Sequence, residues 1–433
     1  MLPPSTVLFQ TLPNLEGELE SELRELIPSL SPSSSILSSH PGGVVLSAPS
    51  TPAVYPLLLW ARIPTKALLL LSEATVVEAT PEALNAHARS VLPPELFRPP
   101  PASPEPWLSF SVSTSALCSL PPALSHSKFT SINVAKAITD SCRASDPSGT
   151  RPPVNLDDAD VPLHCFLSRP PLSSPPNSVS VSLYASLISA RSSHRLRSPD
   201  SLPSHPAALK STTAAALVRK TGLPKLLAAV RAGSVPAATF LDPMCGGGTF
   251  LLEAAQLAAD AAPLLAHAQA SPLPIAALRW RGADEAAWGA AVAAAAERRA
   301  AGAKVLKGGQ VRVVGNDAHA GSVGMARRAL GGAGFGGVEV SLGGCDEVAL
   351  GKVEGAVILA VNPPWGGRLT EDLEKSWEAL GRALRSEGMR GQEAWVLSPP
   401  SDLSGLLRMK AERKLSFSAA RDKLRFTQYK IRA

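Results

Sequence analysis

The sequence has few cysteines and no long apolar segment. Its 433 residues include five cysteines, none in a CxxC pair or a Cys/His cluster with zinc-ligand spacing. We therefore expect a reduced compartment and no metal site. No apolar run reaches the roughly 18 residues that a membrane span needs, and the first residues lack the pattern of a secretory signal. We expect no membrane partner and a cytoplasmic location or, alternatively, an organelle such as a chloroplast or mitochondrion.

The net charge of the whole chain is small, but the charged residues are unevenly distributed along the sequence. Lys and Arg number 42 against 36 acids, which gives a net charge of +6. Segment 186–231 carries eight bases and one acid, and segment 403–433 carries nine bases and two acids. Two such blocks are typical of a nucleic-acid footprint. Solvated surface charge is an equally good interpretation of either block taken alone.

Proline is concentrated in the first part of the chain. Of 41 prolines, 31 occur at or before Pro206. Clusters of proline cannot continue a helix or a central strand, so they predict loops and linkers. We expect the main domain boundary between about 190 and 206.

The second part alternates between strand and helix patterns. Five short runs predict strands that alternate with helical stretches, which is typical of a doubly wound, mostly parallel sheet. Two further runs near the end predict an antiparallel hairpin. The five runs are 237–242, 311–317, 338–342, 355–361 and 393–397, and the hairpin runs are 414–418 and 424–431.

A glycine turn follows the first of these strands, in the sequence LDPMCGGGT at 241–249. The turn lacks the GxGxxG of a dinucleotide site and the GK[ST] of a P-loop, so it is not suited to a pyrophosphate. Asp242 precedes the glycines and would repel phosphate. A carboxylate beside a close backbone approach suits a cationic ligand, such as the amino group or sulfonium of S-adenosylmethionine.

A second motif, Asn362-Pro363-Pro364-Trp365, ends the fourth strand. Consecutive prolines stiffen the backbone. The Asn362 side-chain oxygen and the Pro363 carbonyl can accept both hydrogens of an exocyclic amine and direct its lone pair. Trp365 can stack on a base, a contact worth ~1–3 kcal/mol. The motif therefore predicts methylation of a nucleobase amine.

The two motifs together resemble a known family. DPMCGGGTFLLEAA at 242–255 and NPPWGGRL at 362–369 are similar to the THUMP-containing RNA guanine-N2 methyltransferases. Three further segments resemble the helix that enters the catalytic domain, the THUMP helix and the segment before it, most like the large-subunit rRNA members. These segments are 205–217, 128–138 and 58–70.

The resemblance implies a fold and a division into domains. It implies a Rossmann-like class I methyltransferase domain at 191–433, with a mostly parallel sheet and a C-terminal antiparallel hairpin. An α+β region precedes it, with a ferredoxin-like part at 1–75 and a THUMP RNA-binding domain at 76–190.

The resemblance also implies site residues. S-adenosylmethionine would bind the glycine turn and two further acids, of which Asp317 would take the ribose hydroxyls and Asp346 would lie near the adenine. The turn residues are Asp242, Cys245, Gly246, Gly248 and Thr249. The catalytic residues would be Asn362, Pro363, Pro364 and Trp365.

The implied function is methyl transfer to guanine N2 in large-subunit rRNA, with structured RNA as partner. Three alternatives stay open: a tRNA guanine-N2 methyltransferase, a DNA adenine-N6 methyltransferase and a catalytically silent RNA-binding assembly factor.

Three departures from the family pattern affect how the family's residues are placed on this sequence. Gly247 stands where serine is commoner, Ala318-His319 follows Asp317, and an Ala-rich insert spans roughly 263–310.

Overall fold

Two seven-stranded sheets organise the protein. The structure, a computed structural model, describes residues 5–101, 103–189, 209–268, 275–347, 355–365, 370–386, 389–400, 402–419 and 422–431. The predicted boundary at 190–206 lies outside these residues. One sheet is formed by the chain before this segment and the other by the chain after it.

The first sheet has the strand order β2-β3-β1-β4-β7-β6-β5, in which only the β5–β6 pair is parallel. Its long strand β4 crosses position 75, where the sequence predicted a boundary, and pairs with both β1 and β7. The two N-terminal parts therefore share one sheet, and their division into domains stays a prediction. The elements are β1 (Ser5–Gln10), α1 (Glu16–Leu30), β2 (Ser35–His40), β3 (Gly43–Ala48), α2 (Tyr55–Trp60), β4 (Lys66–Glu78), α3 (Pro81–Val91), β5 (Phe110–Ala116), α4 (Ser127–Ser145), β6 (Val161–Ser168) and β7 (Ser178–Ser186).

The second sheet has the order β10-β9-β8-β11-β12-β14-β13. Its first five strands are parallel, and the last two form the antiparallel hairpin that the sequence predicted. The predicted mixed α/β architecture is confirmed. The elements are α5 (Ser211–Lys220), α6 (Leu223–Arg231), β8 (Ala238–Asp242), α7 (Thr249–Ala258), α8 (Glu285–Lys307), β9 (Val311–Asp317), α9 (Ala320–Gly332), β10 (Glu339–Leu342), β11 (Ala356–Val361), α10 (Thr370–Leu384), β12 (Glu393–Ser398), β13 (Ala411–Ala419) and β14 (Asp422–Lys430).

Helices cover both faces of this sheet. Strand β11 is almost wholly buried and central, as its continuous apolar sequence predicts. On one face α10 buries Trp377, Leu380 and Leu384 against the sheet. On the other face α7 is buried along nearly its whole length. The sheet therefore holds its carboxyl edge between two packed layers.

The insert between α7 and β9 contains the long helix α8. Trp280 and Trp288 of the insert are buried, and the Trp288 ring contacts Tyr55 edge-on at a centroid distance of 6.2 Å. The insert therefore packs against the N-terminal part. None of the helices within the described ranges is long and apolar enough to cross a membrane.

Part of the first basic block has a structural role, which corrects the expectation that the block contacts RNA. Arg219 lies 2.6 Å from Glu25 and Lys220 lies 2.7 Å from Glu18, both on α1. Arg231 donates to carbonyls at the end of α7. These bases bind within the chain because the acidic helix α1 packs beside α5. Three other bases of the block (Arg191, Arg195 and Arg197) lie outside the described residues.

Candidate active site

The two motifs meet at the carboxyl edge of the second sheet. Leu241 of β8 pairs with Leu359 of β11, so the glycine turn and the motif that follows Val361 leave adjacent strands. Asp242 pairs with Gly315 of β9, two residues before Asp317. Since open α/β sheets bind ligands at this edge, the register places the candidate residues around one crevice.

The glycine turn requires glycine most strictly at Gly248. This residue precedes α7 with φ +83°, in the left-handed region. A Cβ there would lie 3.0 Å from the Ala326 Cβ of α9. Gly246 also has a positive φ of +53°, whereas a Cβ on Gly246 or Gly247 would meet nothing within 4 Å. The turn is therefore packed behind Gly248 and open beside Gly246 and Gly247.

Asp242 is a buried carboxyl group, with 2% of its surface exposed. Its Oδ1 accepts a hydrogen bond of 3.2 Å from the Met244 backbone N–H. Desolvation raises the pKa of Asp242 well above the ordinary value of 3.8, and the nearby charge of Asp317 adds to this. A cation placed beside this group would favour its charged form.

Asp317 fastens the turn to β9. Its Oδ2 accepts a 2.9 Å hydrogen bond from the Gly246 backbone N–H, and its Oδ1 accepts one of 2.9 Å from His319. Each carboxylate oxygen can accept a second bond, so ribose hydroxyls remain compatible with these contacts. The side chain is 8% exposed at the end of its strand.

Cys245 is directed into the protein. A Cβ on Gly315 would lie 3.3 Å from the Cys245 Sγ, so the thiol packs above β9. Burial raises the pKa of Cys245, with Asp242 and Asp317 adding to the effect. The thiol is therefore neutral, and the contribution of Cys245 to a ligand site is its backbone. Thr249, the first residue of α7, is half-buried at the mouth of the turn.

Asn316 is a structural residue of the site that the sequence reasoning missed. Its Nδ2 donates to the Gly343 carbonyl at 2.8 Å and approaches those of Gly344 and Pro243, while its Oδ1 accepts from Ser341. It therefore connects the turn after β8 to the turn after β10. Its position beside Asp317 at a strand end is the only sequence signal for this role.

Asp346 lies in the turn after β10 and is exposed. The Arg382 guanidinium of α10 binds its Oδ2 at 3.0 Å. The neighbouring Gly343 donates its N–H to the Asp317 carbonyl at 3.1 Å, so this turn borders the crevice. The structure thus brings Asp346 to the same edge as Asp317 but with an ion pair already formed.

The second motif is held by hydrogen bonds of its own. The Trp365 Nε1 donates to the Asn362 Oδ1 at 2.8 Å. The Pro364 carbonyl accepts a 2.9 Å bond from Trp377, a fully buried residue of α10 that the sequence reasoning did not single out. Pro363 is buried and its carbonyl has no hydrogen bond within the described part of the chain. Residues 366–369 lie outside the described residues.

These contacts fix the orientation of the Asn362 amide. An indole N–H can only donate, so its partner must be the amide oxygen. Two acceptors, the Asn362 Oδ1 with a second lone pair and the Pro363 carbonyl, therefore lie at the end of β11. Trp365 is half-buried and supports Asn362, and its stacking on a base stays a prediction.

Comparison with known proteins agrees with this geometry. A family model described as the RMKL-like methyltransferase domain matches residues 202–421, just over half of the chain. The chain belongs to this family. The match includes the glycine turn, the Asn362 motif and the first strand of the terminal hairpin, β13.

Individual relatives carry a common name. The "Ribosomal RNA large subunit methyltransferase K/L" of Allochromatium vinosum is 33% identical over 291 residues, which cover 66% of this chain and 35% of that protein. The protein of the same name from Chromohalobacter salexigens is 27% identical over 423 residues, which cover 96% of this chain and 50% of that protein. The chain thus spans half or less of the length of these relatives.

Solved structures share the fold of this RMKL-like methyltransferase. SMU.472, solved in complex with SAH, aligns with a TM-score of 0.73 at 18% identity over 100% of both chains. A protein of Clostridium difficile 630 aligns with a TM-score of 0.72 at 19% identity over 99% of both chains. At these identities the likeness concerns the fold, and it extends over both sheets. The class I methyltransferase fold predicted for the second sheet is confirmed.

Proposed function

We propose that the protein transfers a methyl group from S-adenosylmethionine to the exocyclic N2 of a guanine in large-subunit rRNA. The observation that carries this proposal is the Asn362-Pro363-Pro364-Trp365 motif at the end of the central strand, beside the Asp242 glycine turn. Two acceptors that can hold an amine lie beside a turn that suits a cationic ligand, and this arrangement is suited to methyl transfer.

The described residues fit S-adenosylmethionine. The space beside Gly246 and Gly247 leaves room for a ligand against the backbone, and the turn contains no lysine or arginine that would favour a phosphate. Asp242, desolvated beside this space, complements an amino group or a sulfonium. Asp317 retains acceptor capacity for ribose hydroxyls. Cys245, Gly248 and Thr249 would complete the turn, and Asp346 would lie near the adenine.

When bound, S-adenosylmethionine supplies a methyl group attached to a sulfonium sulfur. The Asn362 Oδ1 and the Pro363 carbonyl would accept the two N–H groups of guanine N2, which directs the amine lone pair at the methyl carbon. The cofactor would supply the methyl group and leave as the neutral thioether, the amine proton would pass to water, and Asn362 and Pro363 would hold the amine in place. No general base is needed before the attack, so these residues act by orientation.

The substrate class is inferred from the relatives. The relatives from Allochromatium vinosum and Chromohalobacter salexigens are named for ribosomal RNA, and this chain spans half or less of their length. We propose that the N-terminal sheet, with its ferredoxin-like part at 1–75 and THUMP domain at 76–190, presents the structured RNA. The antiparallel pairing of β4 with β1 and β7 would make these parts one platform.

A methyl-transfer assay with labelled S-adenosylmethionine tests the proposal. Fragments of large-subunit rRNA, tRNA and duplex DNA are offered separately, and the products are identified as nucleosides by mass spectrometry. We expect N2-methylguanosine in the rRNA fragments. N2-methylguanosine in tRNA alone, N6-methyladenine in DNA, or cofactor binding with no transfer to any substrate would each replace the proposal with the corresponding alternative.

A binding measurement tests the cofactor separately. Charged acceptors contribute about 1.5–3 kcal/mol to each hydrogen bond. We therefore expect Asp317→Ala to weaken S-adenosylmethionine binding at least about tenfold in calorimetry. An unchanged affinity would remove Asp317 from the cofactor site, and a folded spectrum of the variant is the control.

A further inference from the structure

The terminal hairpin extends beyond the edge at which the candidate site lies. Ser398, the last residue of β12, pairs with Arg425 of β14. Strand β14 has three residues before Arg425, and these pair with the end of β13. At about 3.4 Å per residue, the hairpin rises about 10 Å above the carboxyl edge of its neighbour β12.

One face of the overhanging hairpin is basic and the other is apolar. Arg425 pairs with Ser416, Lys423 with Ser418, and Thr427 with Lys414. Paired residues point to the same side of a sheet, so these side chains share a face, which we name the basic face of the hairpin. The opposite face buries Phe417, Leu424 and Phe426. The basic face consists of Lys414, Ser416, Ser418, Lys423 and Arg425.

The cations of the basic face are exposed. Lys414, Lys423 and Arg425 are all exposed to solvent. None of them forms an ion pair with another residue of the described ranges. Asp422 pairs with Ala419 and precedes Lys423 by one residue, so its side chain points to the opposite face of the hairpin. The face is a concentrated positive surface, in contrast to Arg219 and Lys220 of the first basic block.

The basic face stands close to the Asn362 motif. Val361 of β11 pairs with Val396 of β12, which pairs with Thr427 of β14. Two strand spacings, about 10 Å, thus separate β11 from β14 at the level where the motif begins. Lys and Arg side chains on the hairpin can span this distance to a nucleotide held in the site.

We propose that the basic face of the hairpin binds the RNA phosphates that flank the target nucleotide. This inference rests on the proposed function and adds a location for the backbone of the substrate. Serine hydroxyls beside lysine and arginine are the side chains that contact phosphate oxygens in nucleic-acid interfaces. The face lacks the apolar side chains that would insert into a membrane, which favours RNA over an anionic lipid surface.

A charge-reversal experiment on the full chain tests the proposal. The test variant is Lys414→Glu/Lys423→Glu/Arg425→Glu. The matched control is Lys304→Glu/Lys307→Glu/Lys430→Glu, which changes the same number of exposed bases. Lys430 pairs with Glu393 at the first residue of β12, and Lys304 and Lys307 end the helix that precedes β9, so all three lie at the opposite edge.

Affinity for a synthetic RNA stem-loop is measured over a range of salt concentrations. Each neutralised phosphate adds about 0.7–0.9 to the slope of log affinity against log salt. We expect the test variant to reduce this slope by about two, while the control retains the slope of the unmodified protein. A test variant with an unchanged slope, or a control with an equal loss, would overturn the proposal. Unfolding temperature and S-adenosylmethionine affinity report whether each variant is folded.

Two further measurements distinguish a failure of this inference from a failure of the proposed function. If the unmodified protein methylates rRNA and the test variant does so at the same rate and salt dependence, the inference fails while the proposed function stands. If no substrate is methylated but the slope changes as expected, the proposed function fails and the RNA surface stands. Binding of phosphatidylserine vesicles that is lost in the test variant, with an unchanged RNA slope, would assign the face to membranes and overturn the proposal.

Discussion

At the scale of single residues, the proposed role of Asn362 is to orient the amine. An amide side chain does not titrate near neutral pH, so it cannot remove the amine proton as a base. Its oxygen is held by the Trp365 N–H at 2.8 Å, and Trp377 holds the adjacent Pro364 carbonyl. The acceptors are thus fixed before the substrate arrives, and little reorganisation is needed at the moment of transfer.

We expect Asn362→Ala to lower kcat by at least about 100-fold, because a nucleophile misplaced by about 1 Å can lose that much rate. S-adenosylmethionine and RNA affinities stay close to those of the unmodified protein, since neither ligand depends on this amide for most of its contacts. Single-turnover methyl transfer, with separate binding measurements, checks this. Turnover near the unmodified rate would refute the amine-orienting role.

If Asp242 contacts the cofactor as we propose, its protonation links S-adenosylmethionine binding to pH. The pKa of this carboxyl group is raised in the folded state by desolvation, so the folded protein holds a proton there that the unfolded chain has released. Stability without cofactor therefore falls as pH rises from the ordinary pKa of 3.8 toward the raised value. A cationic ligand favours the carboxylate, so binding below the raised pKa releases the proton.

We expect S-adenosylmethionine affinity to increase with pH through this window. Asp242→Asn is uncharged at every pH, so it binds more weakly and loses the dependence that comes from this group. Calorimetry in buffers of different ionisation enthalpy measures the released proton. The exposed Asp157→Asn is the matched control and retains the proton release of the unmodified protein. A variant at Asp242 that still releases the same proton would contradict the assignment.

At the scale of elements, the glycines of the turn differ in how strictly the backbone and its neighbours require glycine. Gly248 combines a φ of +83° with a close approach to Ala326, whereas Gly247 has open space around it and no positive φ. A non-glycine residue in the left-handed region costs about 1–2 kcal/mol, and the contact with Ala326 adds strain. The neighbouring glycines therefore differ in structural importance.

We expect Gly248→Ala to lower the free energy of unfolding by at least about 1–2 kcal/mol. Gly247→Ala, the matched control on the same turn, changes the stability by less than about 0.5 kcal/mol. Urea unfolding of both variants without cofactor measures the difference. Equal stabilities would show that α7 and α9 separate to accommodate the methyl group.

The elements around the site were largely predictable from the sequence. Strands β8, β9 and β11 agree with the predicted runs within a residue, because each is a short apolar run ended by a strong local signal such as Asp242-Pro243 or Asn362-Pro363. The family motifs then placed both strand ends at one edge. Local sequence carries this information because turn chemistry and apolar periodicity are local properties.

Contacts between distant segments were not predictable. The bond from Trp377 to Pro364 depends on how α10 packs, and the sheet that joins β4 to β7 pairs residues 100 or more positions apart. The pairing of Arg219 and Lys220 with α1 was also not predicted, because a run of basic residues gives the same sequence pattern whether it binds RNA or an acidic helix. Such contacts depend on tertiary packing, which no single window of sequence contains.

At the scale of the whole molecule, one buried arginine connects the two sheets. Arg62 lies between α2 and β4, and Glu22 of α1 accepts the backbone N–H groups of Arg62 and Ile63. The Arg62 guanidinium donates to Gln256 at 2.7 Å and lies 3.5 Å from Glu253, both on α7. Burial lowers the pKa of Arg62, and the two glutamates oppose this effect.

We expect Arg62→Met to lower the free energy of unfolding by about 3–5 kcal/mol, because it removes one partner of a buried ion pair. Arg24→Met is the matched control, since Arg24 pairs with Glu20 on the surface of α1 and such pairs contribute about 0–1 kcal/mol. A loss no larger than that of the control would contradict this account.

We expect the same contact to couple the glycine turn to the N-terminal sheet. Helix α7 begins directly after Gly248 and carries Gln256 and Glu253, two partners of the Arg62 side chain, so we expect stabilising the turn to stabilise the attachment of β4 as well. A ligand present at 100 times its Kd stabilises the folded state by about 2.7 kcal/mol.

We expect S-adenosylmethionine to slow amide hydrogen exchange in β1 and β4 as well as in β8 and β9. In Arg62→Met the slowing is confined to β8 and β9, whereas Arg24→Met keeps it in all four strands. Exchange in β1 and β4 that responds equally in both variants would show that the two sheets are coupled through the rest of their interface.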